Sequence, residues 1–442
     1  MKKAPLTFAL ALGASFGLFA LAQTGYRSSY TGPRVEITFW NGQSGDNRKY
    51  IDELVKRYNA SHPNVSVRVT TPPGDTIAQQ LPALVAGGRA PDVTSLIETM
   101  TIPNGLRGVI EEFTPPLLKQ GNIDRARFYP ALWNGATYGG KSYGVPVYNV
   151  AFAMFYNKDL LKKAGVSRAP RTRDEFLRAA QACTTDKAGR KPGQAGFDSR
   201  NLQTWGVGVP NGFFGATLAY SVLLQNGGNS VTEKTYDARF DTPEAAQAFG
   251  FVGDLVKRYN VSPTNMTEDS QQAAFRSGKQ CFSITGTWVM VNYQGQKGLN
   301  FGVAPLPQLG GKSKTAWGGS GYLVLPKQRP GYDPNKRAAA LDFINWFTLP
   351  ENNLYFNQGG TMPTMPVVAK DKSYDNTPLA ELFGGLNDVQ IEAGFPWVDQ
   401  VRGAWIGAWD NALSGKKDIR TALRDGETEA GKLVNQARKN FR

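Results

Sequence analysis

The chain has 442 residues, 41% of them apolar and 19% charged. That is more chain than one hydrophobic core ordinarily supports, so two lobes are expected. The formal net charge is +14 at pH 7, yet the basic residues are scattered and no RNP-like, zinc-finger or helix-turn-helix pattern occurs, so the charge reads as a solvated basic surface and no nucleic-acid partner is expected.

The first residues address the compartment. Lys2 and Lys3 precede an uncharged apolar stretch, Leu6 to Leu21, and Ala20-Leu21-Ala22 supplies a small-x-small cleavage site. Residues 1–22 read as a signal peptide, with the mature chain starting near Gln23, exported to the periplasm and soluble there. No other stretch approaches the roughly 20 uninterrupted apolar residues of a spanning helix. Cys183 and Cys281 are the two cysteines. In an exported chain they favour one disulfide over two free thiols, and without a nearby histidine they make no convincing metal site.

Val35 to Trp40 (VEITFW) reads as a strand, and Asn47 to Asn59 as a helix with Ile51, Leu54, Val55 and Tyr58 at helical spacing. Val65, Val67 and Val69 alternate as the next strand, completing a β-α-β unit with a parallel sheet. Thr76 to Ala86 is a second helix and Pro91 to Ile97 a third strand. Open parallel sheets bind ligands beyond the carboxyl ends of their strands. Trp40 with Asn41, the loop around Asp75, and Glu98 are therefore candidate site residues.

Tyr143 to Asn157 (YGVPVYNVAFAMFYN) is an almost continuous apolar run of strand length with a polar Asn149 in its middle. It reads as a strand crossing from one lobe to the other, with Asn149 facing the gap. From pattern alone a plain core strand with one satisfied polar group is the stronger reading. Trp205 to Val209 then reads as a strand, Ala216 to Gln225 and Pro243 to Tyr259 as helices, and Cys281 to Thr285 as a strand before a helix opening at Gly286-Thr287-Trp288. Leu299 to Pro307 returns to the first lobe, Arg337 to Leu349 is helical, and helices on a surface follow Trp397.

Catalytic patterns fail on inspection. The one histidine, His62, lies at a predicted turn with no nucleophile motif to match. Gly318 to Tyr322 (GGSGY) breaks the G-x-S-x-G spacing at Tyr322, and Leu306 stands where a P-loop needs its first glycine. No spacing singles out a carboxylate pair for glycoside hydrolysis. An enzyme is the weaker class, and no metal or cofactor is expected. Nine tryptophans and 24 phenylalanines invite a sugar reading instead, because pyranose rings stack apolar C–H faces on aromatic rings. Trp288 follows a strand end, and Trp317 precedes Gly318-Gly319, where backbone can approach a ligand closely. Trp346 reads as core, Trp405 and Trp409 as one packed helix face, and Arg402 on its own as a solvated surface arginine.

ITFWNGQ, APDV, GVPVYN with FYNKDLLKKAG, FRSGKQCFSITGTW, FGVAPLP and LDFINWFTLPENNLYFNQGG occur in order along the chain. Together they resemble the extracellular solute-binding proteins of ABC importers, in the cluster containing maltodextrin and glycerol-3-phosphate binders. The resemblance implies an α/β, two-lobed periplasmic binding fold of type II, each lobe a mostly parallel sheet flanked by helices. It places crossings near Tyr148–Ala151, Pro305–Trp317 and Thr348–Glu351. Residues 34–148 with 305–348 would form the N-lobe, and 149–304 with 349–442 the C-lobe. It also puts Cys183 and Cys281 in one lobe, supporting their pairing.

Carried over by position, Trp288 sits where sugar binders place a stacking tryptophan. Glu98, Asn149, Gly318, Gly319 and Arg402 match ligand-contact positions of the glycerol-3-phosphate binder. Asp75 falls near a ligand tyrosine of that binder and Thr361 near another, so two contacts are changed, and an aspartate near a phosphate would repel it. The expected function is capture of a mono- or oligosaccharide for an ABC permease by a monomeric, non-catalytic binder. Trp288, Trp317 and Phe214 would stack on the sugar, while Asp75, Glu98, Asn149 and Arg402 meet its hydroxyls. The alternative within the class is a glycerol-3-phosphate or glycerophosphodiester binder with Arg402 on the phosphate; the alternative outside it is an exported glycosidase.

Overall fold

A computed structural model describes residues 26–42, 47–72, 76–375, 377–383 and 388–439 of the chain. The proposed leader and Asp75 lie outside the described residues.

Twelve strands are described: β1 (Val35–Trp40), β2 (Val65–Thr70), β3 (Val93–Ile97), β4 (Thr137–Tyr138), β5 (Lys141–Ser142), β6 (Val145–Asn157), β7 (Thr185–Asp186), β8 (Leu202–Val207), β9 (Gln280–Gly286), β10 (Phe301–Pro305), β11 (Ala316–Val324) and β12 (Val389–Ile391). Ten of them form one curled sheet in the order β2-β1-β3-β11-β6-β9-β8-β7, with β10 also on β6 and β12 also on β11. The β-α-β start is as expected: the helix Arg48–Ser61 connects β1 to a parallel β2, burying Ile51, Leu54, Val55 and Tyr58. Parallel pairing continues in β1–β3 and β8–β9, but β6, β10 and β11 pair antiparallel to their main neighbours. The sheet is thus mixed: its middle, on β6 and β11, is mainly antiparallel, β1 pairs parallel with β2 and β3, β8 pairs parallel with β9, and the outermost β7 returns antiparallel on β8.

β6 is the element that joins the lobes. At about 3.3 Å per residue its 13 residues span roughly 43 Å. Val145 to Ala151 pair with β11, and Phe152 to Tyr156 with β9. Because successive side chains point to opposite faces, its two faces serve two cores. Val145, Val147, Ala151, Ala153 and Phe155 pack with β1, β2 and the helix Pro334–Phe347, whereas Val150, Phe152 and Met154 pack with the helices Phe213–Gln225, Pro243–Lys257 and Val398–Leu413. Trp346 lies in the first core and Trp405 and Trp409 in the second, as read from their spacing.

Leu306, Leu309, Ala316 and Trp317 pack in the second core while Leu323 and Leu325 pack in the first. Phe356, Met362, Met365, Val368 and Leu382, assigned by the sequence reading to the C-lobe, pack in the first core. The helix Pro350–Asn357 folds back on β6 and buries Asn353, whose amide donates to the Val147 carbonyl at 2.9 Å.

Cys183, ending the helix Arg173–Cys183, is bonded to Cys281 in β9, closing a separation of 98 residues within the second core. Replacing both by serine should cost up to about 4.7 kcal/mol, the value chain entropy assigns to a loop of about 100 residues. Urea unfolding checks this, and an unchanged midpoint would mean that packing alone holds the helix against β9.

Candidate functional site

A cavity of about 540 Å³ opens between the two cores, within the usual range for small-molecule sites. The first lobe contributes Glu98 at the start of the helix Glu98–Leu106, directly beyond the carboxyl end of β3. β6 contributes Tyr148 and Val150; β11 contributes Trp317, Gly319 and Ser320. Trp288 comes from the turn after β9, Phe213 from the start of the helix Phe213–Gln225, and Arg402 from the helix Val398–Leu413.

At one wall lies a buried ion network. Glu98 is 3% exposed. Its Oε2 accepts from the Ser320 backbone N–H at 2.8 Å, and its Oε1 accepts from Arg402 Nη2 at 3.2 Å. Arg402 also donates from Nη2 to Glu392 Oε2 at 2.6 Å, from Nε to Glu392 Oε1 at 3.2 Å, and from Nη1 to Thr99 Oγ1 at 3.4 Å. Glu392 Oε2 accepts the Trp317 indole N–H at 2.6 Å, so Trp317 offers only its ring to a ligand. Burial pushes the Glu98 carboxyl above the usual range, opposed by Arg402 and reinforced by the Glu392 charge. Burial would lower the Arg402 pKa, but the Glu392 and Glu98 carboxylates outweigh it and hold the guanidinium charged.

Beside this network stand aromatic walls at right angles. Trp288 and Trp317 meet at 89° with centroids 6.3 Å apart, and Phe213 meets Trp317 at 82° and 5.6 Å. Gly286 makes the Trp288 position possible: a Cβ there would lie 1.8 Å from the indole. Gly319 keeps the floor open, since its Cβ would meet the Trp317 ring at 3.0 Å and Glu98 Oε2 at 3.3 Å. Asn47, Gln272, Asn292 and Thr361 add polar groups around the cavity.

Of the residues singled out from the sequence, Glu98, Trp288, Trp317, Gly319 and Arg402 line this cavity together. Arg402 is not a solvated surface group. Asn149 does not line it: alternation along β6 turns Tyr148 and Val150 to the cavity and Asn149 to the opposite face, where its backbone pairs with Met362. Among the described residues its Oδ1 has no hydrogen-bond partner. Phe214 is buried behind Trp288, 6.0 Å between centroids, and its neighbour Phe213 takes the lining position. Gly318 faces away, where a Cβ would strike Val389 at 2.3 Å. Trp40 packs against the small cluster around Leu81 and Tyr322, and Asn41 is buried, its Oδ1 accepting from Ser95. Glu392 and Phe213 went unnoticed in the sequence; no local motif marks Glu392, and Phe213 differs from Phe214 only in helical phase.

Among the described residues no cluster of three or more His, Cys, Asp or Glu could hold a metal, and no helix is long and apolar enough to cross a membrane. His62 is far from catalytic duty, buried and stacked on Tyr58 at 3.9 Å.

A two-lobed α/β chain with a polar, aromatic-walled cavity where its lobes meet has the construction of a solute-binding protein. Residues 53–381 match the family described as bacterial extracellular solute-binding protein, and the chain belongs to that family. It is 25% identical to the maltotriose-binding protein of Pyrococcus abyssi over 408 residues, covering 89% of this chain and 81% of that one. It is 24% identical over 443 residues to the sn-glycerol-3-phosphate-binding periplasmic protein UgpB of Brucella abortus, covering 95% and 94%. The fold is similar to that of the maltose/maltodextrin-binding domain of Bdellovibrio bacteriovorus bound to maltotriose, with a TM-score of 0.76, 18% identity, and 91% and 100% of the two chains covered.

The raised Glu98 pKa has a definite sign. Between the ordinary carboxylate range and the raised folded value, the folded protein binds a proton that the unfolded chain has released, so the contribution of Glu98 to stability is fully present below that range and is lost as pH rises through the folded value, above which Glu98 is ionised. The stability of Glu98→Gln relative to the parent should therefore increase with pH. Urea midpoints from pH 4 to 8 test it; a difference that stays flat or falls would show that Arg402 fully offsets the burial.

Proposed function

We propose that this chain is the periplasmic substrate-binding component of an ABC importer, capturing a mono- or oligosaccharide between its lobes and delivering it to a membrane permease. The leader at residues 1–22 would export it, and it would act as a monomer without turning its solute over. The observation that carries the sugar reading over the phosphate ester is the state of Arg402. Four of the five guanidinium N–H groups already have acceptors, three of them on the carboxylates of Glu98 and Glu392. A phosphate would have to displace or face those charges, which is unfavourable at short range. A sugar instead finds perpendicular indole faces for its apolar sides and the remaining carboxylate lone pairs for its hydroxyls. The named relatives include both ligand classes, so the choice between them rests on the cavity.

A thermal-shift panel of neutral sugars beside glycerol-3-phosphate tests the proposal. A ligand at 100-fold its Kd stabilises the fold by about 2.7 kcal/mol; a shift with the phosphate ester and none with any sugar would reverse the assignment. Trp288→Ala should weaken sugar binding about tenfold or more through loss of ring contact, as read by calorimetry. Chromogenic glycosides should remain uncleaved on prolonged incubation; sustained release would reinstate the glycosidase.

A further inference from the structure

The cavity constrains its solute beyond the sugar class, because the charges bonded into the site do not balance. Glu98 and Glu392 share the single guanidinium of Arg402. Two carboxylates thus stand against one arginine. Arg276 meets the cavity only through the amide of Asn292, to which it donates at 3.1 Å.

The surplus is localised. Both oxygens of Glu98 accept hydrogen bonds, but neither Oε2 nor Oε1 is saturated, since an ionised carboxylate offers about four lone-pair directions. Gly319 marks where the open side of that carboxylate points. The position a side chain would occupy there is 3.3 Å from Glu98 Oε2 and 3.0 Å from the Trp317 ring. Carboxylate and indole ring therefore converge over one glycine, with Trp288 and Phe213 both nearly perpendicular to Trp317. The Trp317 N–H is already committed to Glu392, leaving the electron-rich face as the group on offer. A buried carboxylate beside perpendicular indole faces is an environment for a cation, which the ring quadrupole and the unbalanced charge both attract.

We propose that the solute carries a protonated amine, as in an amino sugar or a sugar-like molecule with a basic ring substituent, and that its ammonium sits over Gly319 between the Glu98 carboxylate and the Trp317 face. This assignment rests on the sugar reading of the cavity and narrows it. The ammonium supplies the missing positive charge and donates to Glu98, while the neighbouring hydroxyls and apolar ring faces are left to the polar rim and to Trp288. A neutral sugar satisfies the rings but leaves the buried carboxylate uncompensated.

The test is calorimetry on the intact mature protein with matched sets: glucose, galactose and mannose, each beside its 2-amino-2-deoxy and N-acetylated counterpart, and the 1,4-linked glucosamine disaccharide beside its N-acetylated form. Acetylation removes the charge while keeping the ring. At least one amine should bind tenfold or more tighter than both its neutral partners at pH 7, and the margin should shrink in Glu98→Gln. Because that variant also alters the site, the margin between amine and neutral ligand is the readout, not either affinity alone. Neutral or acetylated sugars binding as tightly as the amines would overturn this inference and leave the sugar reading intact. Silence across the whole panel together with binding of glycerol-3-phosphate would overturn the sugar reading and this inference with it. A margin unchanged in Glu98→Gln would remove Glu98 as the partner and sink the proposal in this form.

Discussion

The arginine at the cavity wall holds together parts of the chain that have no other reason to meet. Glu98 follows the third strand of the first lobe, Glu392 follows β12, and Arg402 lies on a helix of the second core. A guanidinium so nearly buried must be paired, and removing one member of such a set leaves an unsatisfied charge in low dielectric, a cost of about 3–5 kcal/mol. The network therefore fixes three segments at once. Through the indole N–H of Trp317 it also fixes the orientation of an aromatic wall. Its consequence for recognition is that the one cation most obviously suited to an anionic ligand is already occupied.

The geometry around that network depends on two strands that belong to both cores. β6 sends alternate side chains to different cores, and β11 contributes to one core at its start and to the other at its end. Their antiparallel pairing, Gly318 opposite Ala151 and Ser320 opposite Asn149, forms the back of the cavity. Glycines at 318, 319 and 321 suit this seam because side chains there would collide with Val389, Trp317 and Tyr148 respectively. Rotation of one lobe against the other acts on the two sides of the cavity while these shared strands keep its floor continuous, the arrangement expected of a hinged binder.

Elsewhere the first lobe secures its own beginning by a second buried carboxylate. Asp342, in the helix Pro334–Phe347, accepts from the hydroxyls of Tyr26, Ser28, Ser29 and Tyr58 and from the Ser29 N–H. His62 Nε2 lies 3.7 Å from it. The only histidine of the chain is thus part of a structural anchor, which gives a physical reason why no histidine-dependent chemistry is found at the cavity.

Much of the architecture was legible in the residues alone. Val65, Val67 and Val69 alternate because a strand half-buried on β1 requires it, and Ile51, Leu54, Val55 and Tyr58 repeat at helical spacing because one face of that helix is core. These are local periodicities set by backbone geometry. Glu98 was legible too, since a residue directly beyond a parallel strand's carboxyl end is placed by topology. What the residues could not declare is which side of an element faces the cavity when both sides are buried. Asn149 against Tyr148, Phe214 against Phe213 and Gly318 against Gly319 differ by a single position, and only the partner strands and helices decide between them. Glu392 is separated from Glu98 by nearly three hundred residues and reaches the same guanidinium solely because β12 returns alongside β11. The sequence by itself determined the elements and the two-lobed class, because those follow from short-range pattern and steric rules. The tertiary structure alone decided the charge balance and the aromatic geometry of the site, because both arise from contacts between segments far apart along the chain.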